Sequence, residues 1–403
     1  MTTAVTRPDP SAHRVARPAP PSVRAARVLL LTADTGGGHR ASTEALREEF
    51  AHRYGGQVTS VALDPLTGPA APALVATIAR LYGPLVRHTP CLWGLLFYGT
   101  DVGPIRRLMS ALVTRALRRP LAEAVARHDP DVIAVLHPLL VAPAAAVRHG
   151  HRARVVSVIT DLGRPHGSWW HPDVDRVVVP RRGPARGVPR ASPQAAAREH
   201  LIGPPVRRQF TDPSAPVDRD RARRRLGLDP GRFAVMVNGG GEGARGTERW
   251  ARALVTGPAD VDVLVVCGRN ERLRRRLARL TPPAGRRLIV TGFIDDMAGH
   301  MSAVDVLVTK AGPGIIAEAA TIGLPLLVAG HLPGQEAGNR EHVVRAGTGL
   351  AVDSIRDLVS AVGRLRTDPA LLDSLRDGAR RAGRPHARAM TADLIVSLAK
   401  EVR

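Results

Sequence analysis

From position 27 onward, short runs of β-branched and aliphatic residues alternate with longer stretches whose apolar positions recur every three or four residues. A continuous apolar run of five or six residues suits a strand buried on both faces, and the helical stretches supply crossovers. The pattern therefore predicts parallel sheets built from βαβ units. In the first half it predicts strands at 27–32, 58–63, 132–136 and 155–160. A Pro- and Arg-rich stretch at 180–193, followed by Gly203, Pro204 and Pro205, interrupts the alternation. Strands resume at 233–237, 263–267, 288–291, 306–308 and 326–328, and helical patterns at 355–365, 369–381 and 387–402 close the chain.

These breaks divide the chain into an arm at 1–24 without a periodic apolar face, an N-terminal domain at 25–203, a C-terminal domain at 204–385, and a last helix at 386–403 able to pack back on the first domain. The expected architecture is α/β: two Rossmann-like, doubly wound domains facing a cleft.

Composition narrows the function. The 403 residues exceed what one core usually holds. A hydrophobic fraction of 44% and a charged fraction of 23% exclude wholesale disorder, and no apolar run approaches the roughly 18 residues of a spanning helix. Cys91 and Cys267 are the only cysteines, too few for a disulfide framework or a metal cluster, which fits a reducing cytoplasm. The net charge of +22 comes from 58 basic against 36 acidic residues, yet only Lys310 and Lys400 are lysines. No stacking pattern of aromatics and arginines accompanies that charge, so no specific nucleic-acid partner is expected, whereas an anionic membrane surface fits it.

Three glycine loops stand between a strand and a helix, where a doubly wound sheet binds ligands. They are Thr35-Gly36-Gly37-Gly38-His39, with Ser42 beyond it; Asn238-Gly239-Gly240-Gly241-Glu242-Gly243; and Lys310-Ala311-Gly312-Pro313-Gly314. Glycine lets a ligand approach the backbone closely, and the helix start offers unpaired N–H groups. Read alone, the first loop is equally a tight turn without a ligand; it lacks the GxGxxG spacing of a nicotinamide or flavin site. Lys310 is a compact ammonium beside such a loop, which suits a phosphate. Glu318 follows Gly314 by one helical turn, where a carboxylate can accept bonds from both ribose hydroxyls. In Pro333-Gly334-Gln335-Glu336-Ala337-Gly338-Asn339, amides and a carboxylate match the hydroxyls of a sugar, though Glu336 is equally placed to cap a helix.

Together these motifs resemble a known family. TGGGHRAS at 35–42, His137-Pro138-Leu139, Ile159-Thr160-Asp161-Leu162 with His166, Trp169 and His171, GGGEG at 239–243, CGRN at 267–270, GFIDDM at 292–297, TKAGPG at 309–314 and PGQEAGN at 333–339 look like monogalactosyldiacylglycerol synthase and its bacterial diacylglycerol glycosyltransferase relatives. These belong to glycosyltransferase family 28, with the MurG peptidoglycan enzyme, and the similarity runs from about 27 to 350.

The resemblance implies a GT-B fold, an acceptor-binding N-terminal domain and a C-terminal domain that holds UDP-galactose or UDP-glucose. It implies that Gly239, Gly240, Gly241, Lys310, Gly312 and Gly314 cradle the diphosphate, that Glu318 holds the ribose, and that the backbone at Phe293 and Ile294 reads the uracil. Gln335, Glu336 and Asn339 would hold the sugar. It further implies transfer of the hexose to the hydroxyl of diacylglycerol with inversion and without an obligatory metal or other cofactor; the adjacent Asp295-Asp296 reads as a helix cap. Transfer to a polyprenyl-linked sugar or a natural product, and epimerisation or hydrolysis of a UDP-sugar, are the alternatives.

Inverting transfer needs a base, and His39 at the end of the first loop is the candidate, oriented by Asp161 from the same sheet edge. Gly37, Gly38, His137 and His166 fall on the acceptor side. Tyr82, Trp93, Phe97 and Tyr98 cluster among leucines, flanked by Arg80, Arg87, Arg106 and Arg107. Such a segment suits either a membrane interface, with Trp93, Phe97, Arg106 and Arg107 docking it, or a buried cap over the first sheet. The expected location is cytoplasmic, peripheral at the inner face of the cell membrane.

Overall fold

The structure, a computed structural model, describes residues 24–34, 37–68, 71–181, 196–212, 218–241 and 246–402. The arm up to position 23, Thr35-Gly36, most of the Pro/Arg-rich stretch and Glu242-Gly243 lie outside the described residues.

The chain forms two six-stranded parallel sheets. The first comprises β1 (Ala26–Leu31), β2 (Val58–Leu63), β3 (Val132–Val135), β4 (Arg154–Val158), β5 (Arg176–Val179) and β6 (Glu199–Leu201), in the order β2-β1-β3-β4-β5-β6. The second comprises β7 (Ala234–Asn238), β8 (Asp262–Val266), β9 (Leu288–Thr291), β10 (Val306–Lys310), β11 (Leu326–Gly330) and β12 (Gly349–Ala351), in the order β12-β11-β10-β7-β8-β9. This is the GT-B arrangement of two doubly wound domains. β5, β6 and β12 are not among the strands that the sequence pattern predicts.

Each sheet reverses its strand order once, between β1 and β3 in the first and between β7 and β10 in the second, and a doubly wound sheet opens a crevice at that reversal. Helix α1 (Gly37–Glu49) starts at the first crevice. The loops leaving β7 and β10, at 239–241 and 311–312, meet at the second. Topology thus brings the glycine loops to the cleft.

One face of the first sheet packs Leu29, Leu31, Ile133 and Val135 against Leu117, Leu121 and Val125 of a long helix, α4 (Gly103–His128). The other face packs Val28, Leu30, Ala134 and Val156 against Leu46 of α1 and against Ala392, Ile395 and Ala399 of the C-terminal helix Ala387–Glu401. That helix follows the second domain in sequence but completes the core of the first. Burial of a side chain such as Ile395 contributes roughly 1.5–3 kcal/mol, and Arg388 adds a charged bond to buried Glu49 at 2.6 Å. The segment between the domains is also tied to α1: Ser42 Oγ donates to the Pro205 carbonyl at 3.1 Å, and the Arg208 N–H donates to Glu48 at 3.0 Å. Asp296 caps the helix Met297–Ser302, accepting from the Gly299 N–H at 2.9 Å.

Candidate active site

His39 occupies the first turn of α1 with 7% of its surface exposed. Its Nδ1 lies 3.0 Å from the Thr160 hydroxyl, and its ring meets His137 edge-on at 4.8 Å and Trp169 at 6.1 Å. Burial pushes its pKa down to about 4, against a backbone bond with Leu136, so the ring is neutral at pH 7. The pKa of buried His137 is also lowered, by burial and then by His39.

The expected pairing of His39 with Asp161 is corrected by these contacts. Asp161 Oδ2 accepts from Trp169 Nε1 at 2.9 Å, and Thr160 takes the place beside His39. Successive residues leaving a strand point to opposite sides, so one of the two can face the histidine and the other cannot. Asp161 Oδ1 is buried without a hydrogen-bond partner, and burial followed by neighbouring Glu336 raises the pKa to about 6 despite the Trp169 bond.

On the donor side, the Gly240 N–H donates to Asn238 Oδ1 at 2.7 Å, and its φ of +87° favours glycine. Gly239 is buried, and the Gly241 carbonyl accepts from the Arg269 N–H at 2.9 Å. Lys310 is ion-paired with Oε1 of Glu336, whose Oε2 accepts from the Leu332 N–H at 2.9 Å. The residues expected at diphosphate and sugar thus pair with each other here. The helix Pro313–Thr321 begins next to α1: a Cβ on Gly314 would lie 3.2 Å from the Gly38 Cα. Glu318 is buried and accepts from Arg207 Nη2 at 3.1 Å and Nε at 3.3 Å. Burial raises its pKa and Arg207 opposes the rise. Phe293 is exposed under the Arg269 guanidinium, 5.1 Å from its ring centre, while Ile294 packs on the second core.

Gln335 Oε1 accepts from the Tyr82 hydroxyl at 3.1 Å. Asn339 departs from its expected place at the sugar. Its Oδ1 accepts from the N–H groups of Leu162 at 3.1 Å and Gly163 at 2.8 Å, and its Nδ2 donates to the Ala311 carbonyl at 3.1 Å. Both acceptor positions of the amide oxygen are filled, so this fully buried side chain clasps the two domains. Beside it the backbones touch, and a Cβ on Gly163 would lie 2.0 Å from the Gly338 carbonyl carbon.

The aromatic segment forms helices α2 (Ala73–His88) and α3 (Pro90–Thr100). Two of its expected docking residues turn inward, another correction. Trp93 packs edge-on against Tyr82 at 4.9 Å, and Phe97 lies against His166 at 5.2 Å and over Gly334. The His166 Nδ1 accepts from the Ser168 N–H at 3.2 Å. Arg106, 18% exposed, donates to the Asp101 carbonyl at 2.9 Å, so it is withdrawn from the surface. Arg107 is exposed, and with Arg115, Arg118, Ala142, Ala146 and Trp170 it lines a groove of about 1030 Å³. Aliphatic side chains face out instead: Leu95 of α3 is 70% exposed and Leu108 of the following helix α4 is 61% exposed. Trp93 and Phe97 thus cap inward, whereas Tyr98 and several leucines are exposed.

Among the described residues no cluster of three or more His, Cys, Asp or Glu is arranged to hold a metal ion, and no helix is long and apolar enough to cross a membrane. Thr160, Arg207 and the Tyr82 hydroxyl are site groups that the sequence reading missed. Thr160 carried a signal, since it stands in the motif that contains Asp161.

Residues 39–188 match the family described as monogalactosyldiacylglycerol (MGDG) synthase, and 234–365 match the glycosyltransferase family 28 C-terminal domain. The chain is 35% identical over 373 residues to a probable monogalactosyldiacylglycerol synthase, chloroplastic, of Glycine max, covering 90% of this chain and 69% of that protein. It is 36% identical over 350 residues to monogalactosyldiacylglycerol synthase 1, chloroplastic, of Arabidopsis thaliana, covering 84% and 64%. Among solved structures, MurG of Acinetobacter baumannii superposes with a TM-score of 0.59 at 16% identity, covering 92% of this chain and 99% of that one. The calicheamicin glycosyltransferase CalG4 superposes with a TM-score of 0.57 at 16% identity, covering 94% and 99%. The two family matches and the synthase relatives show what the fold alone does not: the chain is a sugar-transferring enzyme and belongs to the monogalactosyldiacylglycerol synthase family.

Proposed function

We propose that this enzyme transfers a hexose from UDP-galactose or UDP-glucose to the hydroxyl of diacylglycerol, with inversion at the anomeric carbon and no obligatory metal. The observation that carries the reading is the juxtaposition across the cleft of a buried neutral imidazole, His39, with the glycine-lined start of the helix Pro313–Thr321.

The acceptor hydroxyl gives its proton to the lone pair of His39 as its oxygen bonds to the anomeric carbon. The bond from that carbon to the diphosphate oxygen breaks on the opposite face, and UDP leaves with the electron pair. Its charge meets Lys310 and the amides of the glycine loops, which are oriented before substrate arrives. On donor entry the diphosphate takes Lys310 from Glu336 and frees that carboxylate for a sugar hydroxyl. The incoming negative charge also raises the basicity of His39 from its depressed value. Glu318 holds the ribose, and the backbone at Phe293 and Ile294 reads the base.

Asp161 supports a second assignment of the base: it is buried, carries an oxygen without a partner, and has a pKa of about 6, nearer the working range. His39→Ala and Asp161→Asn separate the two, since the true base loses turnover while donor affinity persists.

Exposed Leu95 and Leu108, with exposed Arg107 next to Leu108 in sequence, would seat the protein peripherally on a membrane that carries its lipid acceptor. The plant relatives are named chloroplastic, so a seat at the inner face of a cell membrane rests on the sequence expectation alone.

The test is incubation with radiolabelled UDP-galactose and UDP-glucose plus diacylglycerol vesicles. A labelled β-glycosyl lipid is expected. UDP release at the same rate with and without the lipid, or an α-linked product, overturns the reading.

A further inference from the structure

The loop that carries Gln335 is covered by a wall from the opposite domain. Phe97 lies over Gly334, whose φ of +82° favours glycine and where a Cβ would come 2.8 Å from the Phe97 ring. Gly94 of α3 lies against Pro333, where a Cβ would again come within 2.8 Å. Trp93 bridges the wall, 6.3 Å from Phe97 and 4.9 Å from Tyr82 between ring centres. The Tyr82 hydroxyl ends it, donating to Gln335 Oε1 at 3.1 Å.

We propose that Tyr82 is a positioning residue for the donor sugar: by holding the Gln335 amide in one orientation, an acceptor-domain phenol sets which hexose the donor domain takes. The inference rests on the reading that Gln335 holds the sugar.

An amide side chain has an accepting end and a donating end, and exchanging them reverses what it offers a ligand. With Oε1 engaged by the phenol, Gln335 turns its N–H groups to the ligand, while the neighbouring Glu336 is an acceptor when ionised. A sugar hydroxyl that accepts from the first and donates to the second satisfies both. An epimer that presents that hydroxyl on the other face of the ring leaves a buried polar group unpaired, which is how a hydrogen-bonding site rejects an analogue. Burial and the nearby carboxylates of Glu336 and Asp161 keep the phenol protonated, so its donor role persists through the physiological range.

The experiment uses the full chain with Tyr82→Phe, which keeps the ring on Trp93 and removes the hydroxyl. UDP, UDP-galactose and UDP-glucose are titrated by calorimetry, and kcat/KM is measured for both hexoses. UDP affinity should be unchanged, affinity for the preferred UDP-hexose should fall about tenfold, and the ratio of kcat/KM between hexoses should narrow correspondingly. Gln335→Ala should show the same loss, and the double variant no further loss. Unchanged affinity and ratio in Tyr82→Phe, beside a loss in Gln335→Ala, overturns the proposal and leaves the reading of Gln335 standing. Multiplying losses in the double variant, or a fall in UDP affinity, also overturns it. If Gln335→Ala itself leaves hexose affinity intact, the reading of Gln335 falls and the proposal falls with it.

Discussion

The Nδ1 of His39 and the hydroxyl of Thr160 stand 3.0 Å apart in a buried pocket walled by His137 and Trp169. That bond fixes the plane of the imidazole at the cleft. Thr160→Val keeps the volume and removes the hydroxyl, and should lower kcat about tenfold while leaving the KM for the UDP-sugar unchanged. Steady-state kinetics at saturating acceptor checks this; an equal rise in KM would place Thr160 in donor binding instead.

Protonating His39 opposes folding. Its pKa is near 6.5 when the chain is unfolded and about 4 when folded, so between these values the unfolded state binds more protons. Stability from this group is complete above pH 6.5 and is lost as pH falls toward 4, by on the order of 3 kcal/mol. Denaturant unfolding at pH 7 and pH 5 should show the loss in the wild type and a smaller one in His39→Gln.

Arg207 opposes the burial that raises the Glu318 pKa. Arg207→Met leaves burial unopposed, so a larger fraction of the carboxyl is protonated at a given pH and accepts fewer bonds from ribose. UDP affinity should fall about tenfold or more and should be weaker at pH 6 than at pH 8. Calorimetry at the two pH values reads both effects, and a pH-independent loss would assign Arg207 to shape rather than charge.

The contact of Gly163 with Gly338 leaves no room for a methyl group. Gly163→Ala places a Cβ 2.0 Å from a backbone carbon, which forces the domains apart and strains the Asn339 clasp. The radius of gyration in solution scattering should rise and kcat should fall at least tenfold, while UDP should bind normally on the proposed reading that only second-domain residues hold it.

Leu95 and Leu108 support little of the interior, since each is mostly exposed. Leu95→Glu with Leu108→Glu should change stability by less than about 1 kcal/mol, yet abolish flotation with anionic vesicles. Unchanged flotation would sink the docking surface.

Where local pattern decides the outcome, the fold is legible in the sequence. β1 reads as a strand because Val28, Leu29, Leu30 and Leu31 are all buried, whereas β6, the edge trio Glu199-His200-Leu201, has no apolar run and exists through pairing with β5. The glycine loops are legible for the same reason, being strand, turn and helix start in one stretch. What escapes is set by tertiary pairing: Arg207 finds Glu318 across 111 positions and Tyr82 finds Gln335 across 253. Nothing beside either residue announces its partner. Asn339 misleads in the opposite sense, because its motif matches a sugar site while its three bonds are spent on backbone.

The C-terminal helix has a mechanical consequence. To reach the first sheet the chain recrosses between the domains beside the outgoing segment; a Cβ on Gly203 would lie 3.0 Å from the Arg384 side chain. Two adjacent crossings act like a pair of pins on one edge of a door: they resist twisting and leave a swing about a single axis as the easy motion. A cut in either crossing would leave the other pin holding the two leaves together.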